Sequence, residues 1–161
     1  MGRIFIVDCE ASGPCPAKGR LTEFGAVDFN SFMEGSEITF HGVLDEEHDP
    51  GQVFLVFDGW LAERCRIRGD YESPIFVSDN PAFDWQWIND AFWRLLGKNP
   101  FGHSARRIGD FYAGLTKDFR NTTKWKKFRK TRHDHNPVHD AIGNAEALKQ
   151  MIDMLDKEEG T

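Results

Sequence analysis

The first apolar run is short and abrupt. Ile4, Phe5, Ile6 and Val7 stand together, give way to Asp8, Cys9 and Glu10, and are followed by a polar stretch rich in Gly and Pro, residues 11–19. A compact, partly β-branched run ended by turn residues predicts a buried central strand leading into a loop. Residues 21–29 continue with Phe24, Ala26, Val27 and Phe29, and residues 37–44 with Ile38, Phe40 and Val43, which predicts two more strands joined by a hairpin connection over residues 30–36. Between Gly51 and Cys65 the spacing changes to three and four: Val53, Val56, Phe57, Trp60, Leu61 and Cys65 predict an amphipathic helix with one buried face. A short strand is expected over residues 75–77. A helix over 83–96 follows, with Phe83, Trp87, Ala91 and Leu95 on one stripe and Gly97 as its C-cap. Another strand is expected near residues 106–108. The last segment, residues 138–155, carries Val138, Ala141, Ala145, Leu148, Ile152 and Leu155 at helical spacing with no internal proline. These elements describe an α/β protein, a mixed sheet of about five strands flanked by helices, in one domain spanning residues 1–161.

Composition narrows the function classes. Hydrophobic residues make up 40% of the chain and aromatics 13%, which excludes the low-hydrophobicity class of disordered proteins. A net charge of −6 argues against a general nucleic-acid coat protein, yet eight of the Lys and Arg residues fall between Lys117 and Arg132, so the chain is locally basic. The cysteines, Cys9, Cys15 and Cys65, are odd in number and form no Cys-x-x-Cys pair. They suggest neither a zinc knuckle nor a disulfide framework, and a reducing cytoplasm is the expected setting. The apolar run over residues 3–7 is too short for a signal or membrane segment, so a soluble protein without a membrane partner is expected.

Three acidic motifs carry the candidate chemistry. Asp8 and Glu10 are two apart at the end of the first strand, so the period of a strand points both to one face, and paired carboxylates beside a core call for a cation or another compensating partner. Asp84 ends Asn80-Pro81-Ala82-Phe83-Asp84 and falls in the first turn of a helix, where an acid also suits the helix dipole. His135 and Asp140 bracket Pro137 at the entry to the final helix. The tract around them also holds His133 and His139, but Pro137 and Val138 occupy positions where a zinc hydrolase motif needs ligands. Those two histidines are therefore expected to be a surface pair near substrate phosphate.

Together the three motifs resemble the DEDDh family of 3′→5′ exonucleases, which includes polymerase proofreading subunits, RNase T and oligoribonuclease. The resemblance spans nearly the whole chain: an Asp-x-Glu on the first strand, an Asn-x-x-Phe-Asp, and a His five residues before an Asp, with Glu23-Phe24-Gly25-Ala26-Val27 similar to the family's second strand. It implies an RNase H-like fold and two Mg²⁺ or Mn²⁺ ions. Asp8 would bridge both, Glu10 and Asp140 would complete the more tightly held one, and Asp84 would reach the second largely through water. It also implies His135 as general base, a task suited to imidazole near neutral pH. Where many relatives carry Thr-Thr-Gly after the first motif, this chain has Ala11-Ser12-Gly13, so contact to the terminal nucleotide would come from Ser12 or from backbone. Asn80 and Phe83 would line the same pocket by resemblance.

Residues 124–132 alternate cations with Trp125 and Phe128 immediately before His135. This suggests a strand-binding segment in which Lys126, Lys127 and Arg129 contact phosphates and the aromatics stack on bases, or else pack in the core. The expected partner is the 3′ end of single-stranded RNA or DNA, with RNA slightly favoured, and the expected product is nucleoside 5′-monophosphate. A homodimer is common among relatives. The competing reading is a nuclease-fold module that binds nucleic acid without cleaving it.

Overall fold

In the computed structural model, which describes residues 2–67 and 70–159, β1 (Arg3–Ala11) runs through the centre of a five-stranded sheet of order β3-β2-β1-β6-β7. β2 (Leu21–Asp28) and β3 (Thr39–Val43) are antiparallel to their neighbours. After a small antiparallel ladder of β4 (Arg66–Ile67) and β5 (Asp70–Tyr71), β6 (Pro74–Ser78) pairs parallel to β1, and β7 (Ala105–Arg107) pairs parallel to β6. The chain therefore forms the mixed α/β sheet its sequence predicts. The central strand reaches beyond its apolar run to Ala11, so Asp8 and Glu10 lie near its end, as expected.

Side-chain alternation along β1 separates two cores. Phe5, Val7 and Cys9 enter one together with Phe24 and Phe76, against α2 (Pro50–Arg64) and α3 (Pro81–Leu96), which supply Phe54, Phe57, Leu61, Trp87, Ile88 and Phe92. Ile6 enters the other with Val27 and Val77, against α4 (Ile108–Leu115) and α5 (Pro137–Glu159), which supply Ile108, Tyr112, Ala141, Ala145, Leu148 and Met151. The two-residue period of a strand puts Asp8 and Glu10 on the face of Ile6, the face that α5 covers.

Several local expectations change. Residues 30–36 are not a simple hairpin: Asp28 caps a short α1 (Phe29–Met33), its Oδ1 accepting from the Ser31 amide. The same carboxylate, buried at 0% exposure, is neutralised by Arg3 at 2.5 Å. In α2 the buried stripe is rotated from the expected one. Phe54 is buried and Val56 is 52% exposed, because aromatic rings fill this core better than a valine can. The strand expected near 106–108 starts one residue earlier, and Ile108 already opens α4. Neither α4 nor the 3₁₀ turn Lys124–Phe128 was anticipated. Gly97 does end α3 in the left-handed conformation, at φ 66°. The three cysteines are free thiols, and among the described residues no helix is long and apolar enough to cross a membrane.

Candidate active site

Asp8 opposes Gly25 in the β1–β2 ladder. A Cβ on Gly25 would stand 2.4 Å from the carbonyl carbon and oxygen of Pro137, so only glycine lets the first turn of α5 rest on the sheet beside Asp8. Pro137 occupies the first helical position, and the Asn136 side chain caps the helix by accepting from the amides of Val138 and His139 at 3.0 and 3.2 Å. Asp140 then lies in the first turn, 1% exposed, and points back at β1. One carboxylate oxygen each from Asp8, Glu10 and Asp140 falls within 4.8 Å of the others.

The cluster is electrostatically unfinished. Burial pushes the Asp8 carboxyl up to about 9, with repulsion from Asp84, Asp140 and Glu10 adding to it and Arg129 opposing it. Neither oxygen of Asp140 meets an aligned hydrogen-bond donor, although His133 Nδ1 lies 2.7 Å from Oδ1 as an ion contact. The unpartnered oxygens of Asp140, facing the partly buried carboxylates of Asp8 and Glu10, fit a hard divalent cation, which prefers carboxylate ligands. Asp84 stands outside this trio. It sits in the first turn of α3 and its Oδ1 accepts from the Cys9 amide at 3.1 Å. Burial raises its carboxyl to about 7 against the lowering effect of the Ser78 hydroxyl and the Cys9 and Asn80 backbone donors.

His135 stands at the rim with its side chain 76% exposed and Nδ1 3.6 Å from Glu10 Oε1. Its backbone is left-handed, at φ 62°, a conformation uncommon for a residue with a side chain, immediately before the Asn136 cap. The expected surface pair of His133 and His139 does not form. The His133 ring lies 4.6 Å from that of His135, while His139 turns outward to Asp134 at 2.9 Å.

The segments expected to bind the terminal nucleotide lie on both sides of this edge. Ser12 Oγ accepts from the Arg20 amide at 3.1 Å and closes the loop after β1, within which Gly13 packs against the Lys18 carbonyl. Ala11 lies at the bulge that ends the β1–β2 pairing. Asn80 precedes α3 with its side chain free of a cap bond, and Phe83 meets Trp87 edge-on at 6.0 Å. In the basic segment the aromatics take the core alternative, and the cations depart from expectation. Trp125 is 0% exposed and is a core residue, not a platform for bases, and Phe128 packs against the same core. Lys126 is tied to Asp79 at 2.5 Å, and Arg129 is 10% exposed and bonded to Asn144. Lys127 remains exposed, lying over the Phe128 ring. The sequence reading missed Gly25, Asn144 and the approach of His133. Asn144, four residues beyond Asp140 on one helix face, was the available signal. A cleft of about 680 Å³ between α1 and the middle of α5, lined by Phe32, Glu37, Lys130 and Lys149, lies away from the acids.

No family model matches the chain. It is 30% identical over 177 aligned residues to the 3′-5′ DNA exonuclease Cap18 of Escherichia coli, covering 94% of this chain and 92% of that protein. Its fold is similar to the nuclease domain of 3′hExo, a DEDDh family member, with a TM-score of 0.68 at 16% identity over 94% of this chain and 92% of that one. It is also similar to E. coli exonuclease I, solved with single-stranded DNA and zinc, with a TM-score of 0.58 at 16% identity. There the match covers 99% of this chain but 41% of the larger enzyme. With the three acidic motifs placed on the elements that resemblance requires, and a full-length relative at this identity, the chain belongs to the DEDDh family of 3′→5′ exonucleases.

Proposed function

We propose that this enzyme hydrolyses single-stranded DNA from the 3′ end and releases nucleoside 5′-monophosphates, using two divalent cations and His135. The observation that carries the reading is the convergence of Asp8, Glu10 and Asp140 within 4.8 Å, with the His135 imidazole at the open side of the cluster. DNA replaces the RNA favoured by the sequence because the relative sharing 30% identity is a DNA exonuclease. One five-stranded sheet shared by both cores supports treating the chain as one catalytic unit.

Asp8, Glu10 and Asp140 would hold one cation directly, and Asp84, set back by its bond to the Cys9 amide, would reach the second through water. When bound, Mg²⁺ or Mn²⁺ supplies an activated water at neutral pH and charge stabilisation at the leaving 3′ oxygen. His135 takes the proton from the attacking water. Its exposure leaves it free to pass that proton to solvent, and its Nδ1 stands 3.6 Å from Glu10 Oε1 at the cluster. Ser12, Gly13, Asn80 and Phe83 flank the position of the terminal nucleotide, where the loop after β1 faces the start of α3. A hydrogen bond from Gln86 Nε2 to the Pro14 carbonyl at 3.0 Å ties these two walls together.

The test is digestion of 5′-labelled single-stranded DNA and RNA of one sequence with Mg²⁺, Mn²⁺ or chelator. A metal-dependent ladder that shortens from the 3′ end, faster on DNA, is expected. Faster cleavage of RNA reverses the substrate preference, and tight binding without cleavage in any metal points to an inert binding module.

A further inference from the structure

A largely enclosed cation is joined through Asn144 to the helix that carries Asp140. Arg129 follows the 3₁₀ turn with its side chain 10% exposed. Its guanidinium donates to Asn144 Oδ1, stands 5.1 Å from the centroid of the Trp125 ring and lies 3.8 Å from Asp79 Oδ2. Its aliphatic stem runs against Gly143, where an added Cβ would stand 3.4 Å from Arg129 Cδ. Trp125 and Asn144 are both 0% exposed, and Arg129 Nε has no hydrogen-bond partner. A group so enclosed is not placed to meet a phosphate from solution.

Its neighbours connect it to the acids. Asn144 lies one helical turn after Asp140 on the same face of α5, a spacing of roughly 5–6 Å between Cβ atoms. Asp79 immediately precedes Asn80, the residue from which α3 and Asp84 begin. Several buried carboxylates facing one another repel unless an opposite charge is fixed nearby, and arginine keeps its charge when buried. For a divalent cation at these ligands, the same guanidinium, held one helical turn from Asp140 by Asn144, is a like charge.

Resting on the metal reading above, we infer that Arg129 is the built-in counter-charge of the carboxylate cluster: it holds the acids together before a cation arrives and loosens the grip on the cation afterwards. Arg129 touches neither substrate nor reacting atoms and is a positioning residue. Without that charge nearby, Asp8, Glu10 and Asp140 would retain a cation more tightly.

The experiment is calorimetric titration of Mn²⁺ into the intact protein, comparing wild type, Arg129→Met and Arg129→Lys, with thermal melts in chelator and in saturating Mn²⁺ and the salt dependence of DNA binding. Arg129→Met is expected to bind Mn²⁺ about three- to tenfold more tightly than wild type. Its melting temperature should be lowered in chelator, by a deficit that narrows in Mn²⁺. Arg129→Lys, which keeps the charge, should restore wild-type Mn²⁺ affinity, and the salt slope for DNA should not change. A purely structural role predicts weaker or equal Mn²⁺ binding in Arg129→Met, and that result overturns the inference. A salt slope reduced by about one unit overturns it too, because it would mean that Arg129 contacts phosphate. If Arg129→Met does not fold, Arg129→Gln is judged by the same criteria. Absence of Mn²⁺ binding by the wild type sinks the metal reading itself, an outcome separable from failure of Arg129 alone.

Discussion

The two faces of the sheet are built to different ends. On the α2–α3 face large rings fill the space: Phe24, Phe54, Phe57, Phe92 and Phe101 form a network of contacts between 4.8 and 6.3 Å. On the α5 face Gly25, Ala141 and Ala145 are small, so the helix approaches the strands closely and brings Asp140 to Asp8. Bulk gives stability and keeps backbones apart. Small residues give proximity, which the chemistry needs. The comparison teaches that in this fold the thin face makes the site and the thick face supports it.

The sharpest way to break this contrast is a single methyl on the thin face. Gly25→Ala would push the start of α5 away from β1, and a displacement near 1 Å is expected to cost on the order of 100-fold in turnover. Turnover measured beside a thermal melt checks it, and the activity loss should far exceed the loss of folded protein. The matching change on the thick face is Phe57→Ala, at a fully buried ring. It should cost about 3–5 kcal/mol of stability, seen in denaturant melts, while turnover per folded molecule stays at the wild-type value. If the two variants lose activity and stability in the same proportion, the division of labour between the faces is wrong.

A smaller effect sharpens the electrostatic side. Without metal, the native state holds a proton on Asp8 up to a pH of about 9, whereas the unfolded chain releases it near the ordinary value of 3.8. The native state therefore binds more protons across that window, and the stability of the metal-free protein should fall as pH rises from one value to the other. A bound cation displaces this proton, so Mn²⁺ should raise the melting temperature more at pH 9 than at pH 5. Equal stabilisation at both would count against a cation on Asp8. The smallest effect is expected from the exposed lysines. Replacing Lys124 and Lys127 by Gln should reduce the salt slope of DNA binding by at most about two units, without changing turnover at saturating substrate.

The same contrast explains what the sequence made legible. The thin face was readable: β1 alternation, the Asp8 and Glu10 pair and the alanines of α5 follow simple periods, and Asp140 came with the helix start. The thick face was readable in kind but not in detail. Residues 53–57 of α2 are apolar without a break, so periodicity could not choose between Phe54 and Val56, and ring packing decided. The basic segment was least legible. Its alternation of cations and aromatics looks the same for a strand-binding surface as for a 3₁₀ turn that buries Trp125 and Arg129 and ties Lys126 to Asp79. Those outcomes depend on tertiary partners, Asn144 and Asp79, that local sequence does not name. The left-handed backbone of His135 was likewise invisible, since nothing in its own residue type calls for a positive φ.

The most direct test of the site is an anomalous difference map from crystals of the protein grown with Mn²⁺. A Mn²⁺ peak enclosed by the carboxylates of Asp8, Glu10 and Asp140, and lost in Asp140→Asn crystals, is the predicted result. Strong Mn²⁺ peaks elsewhere on the protein, with none among those three residues, would contradict it.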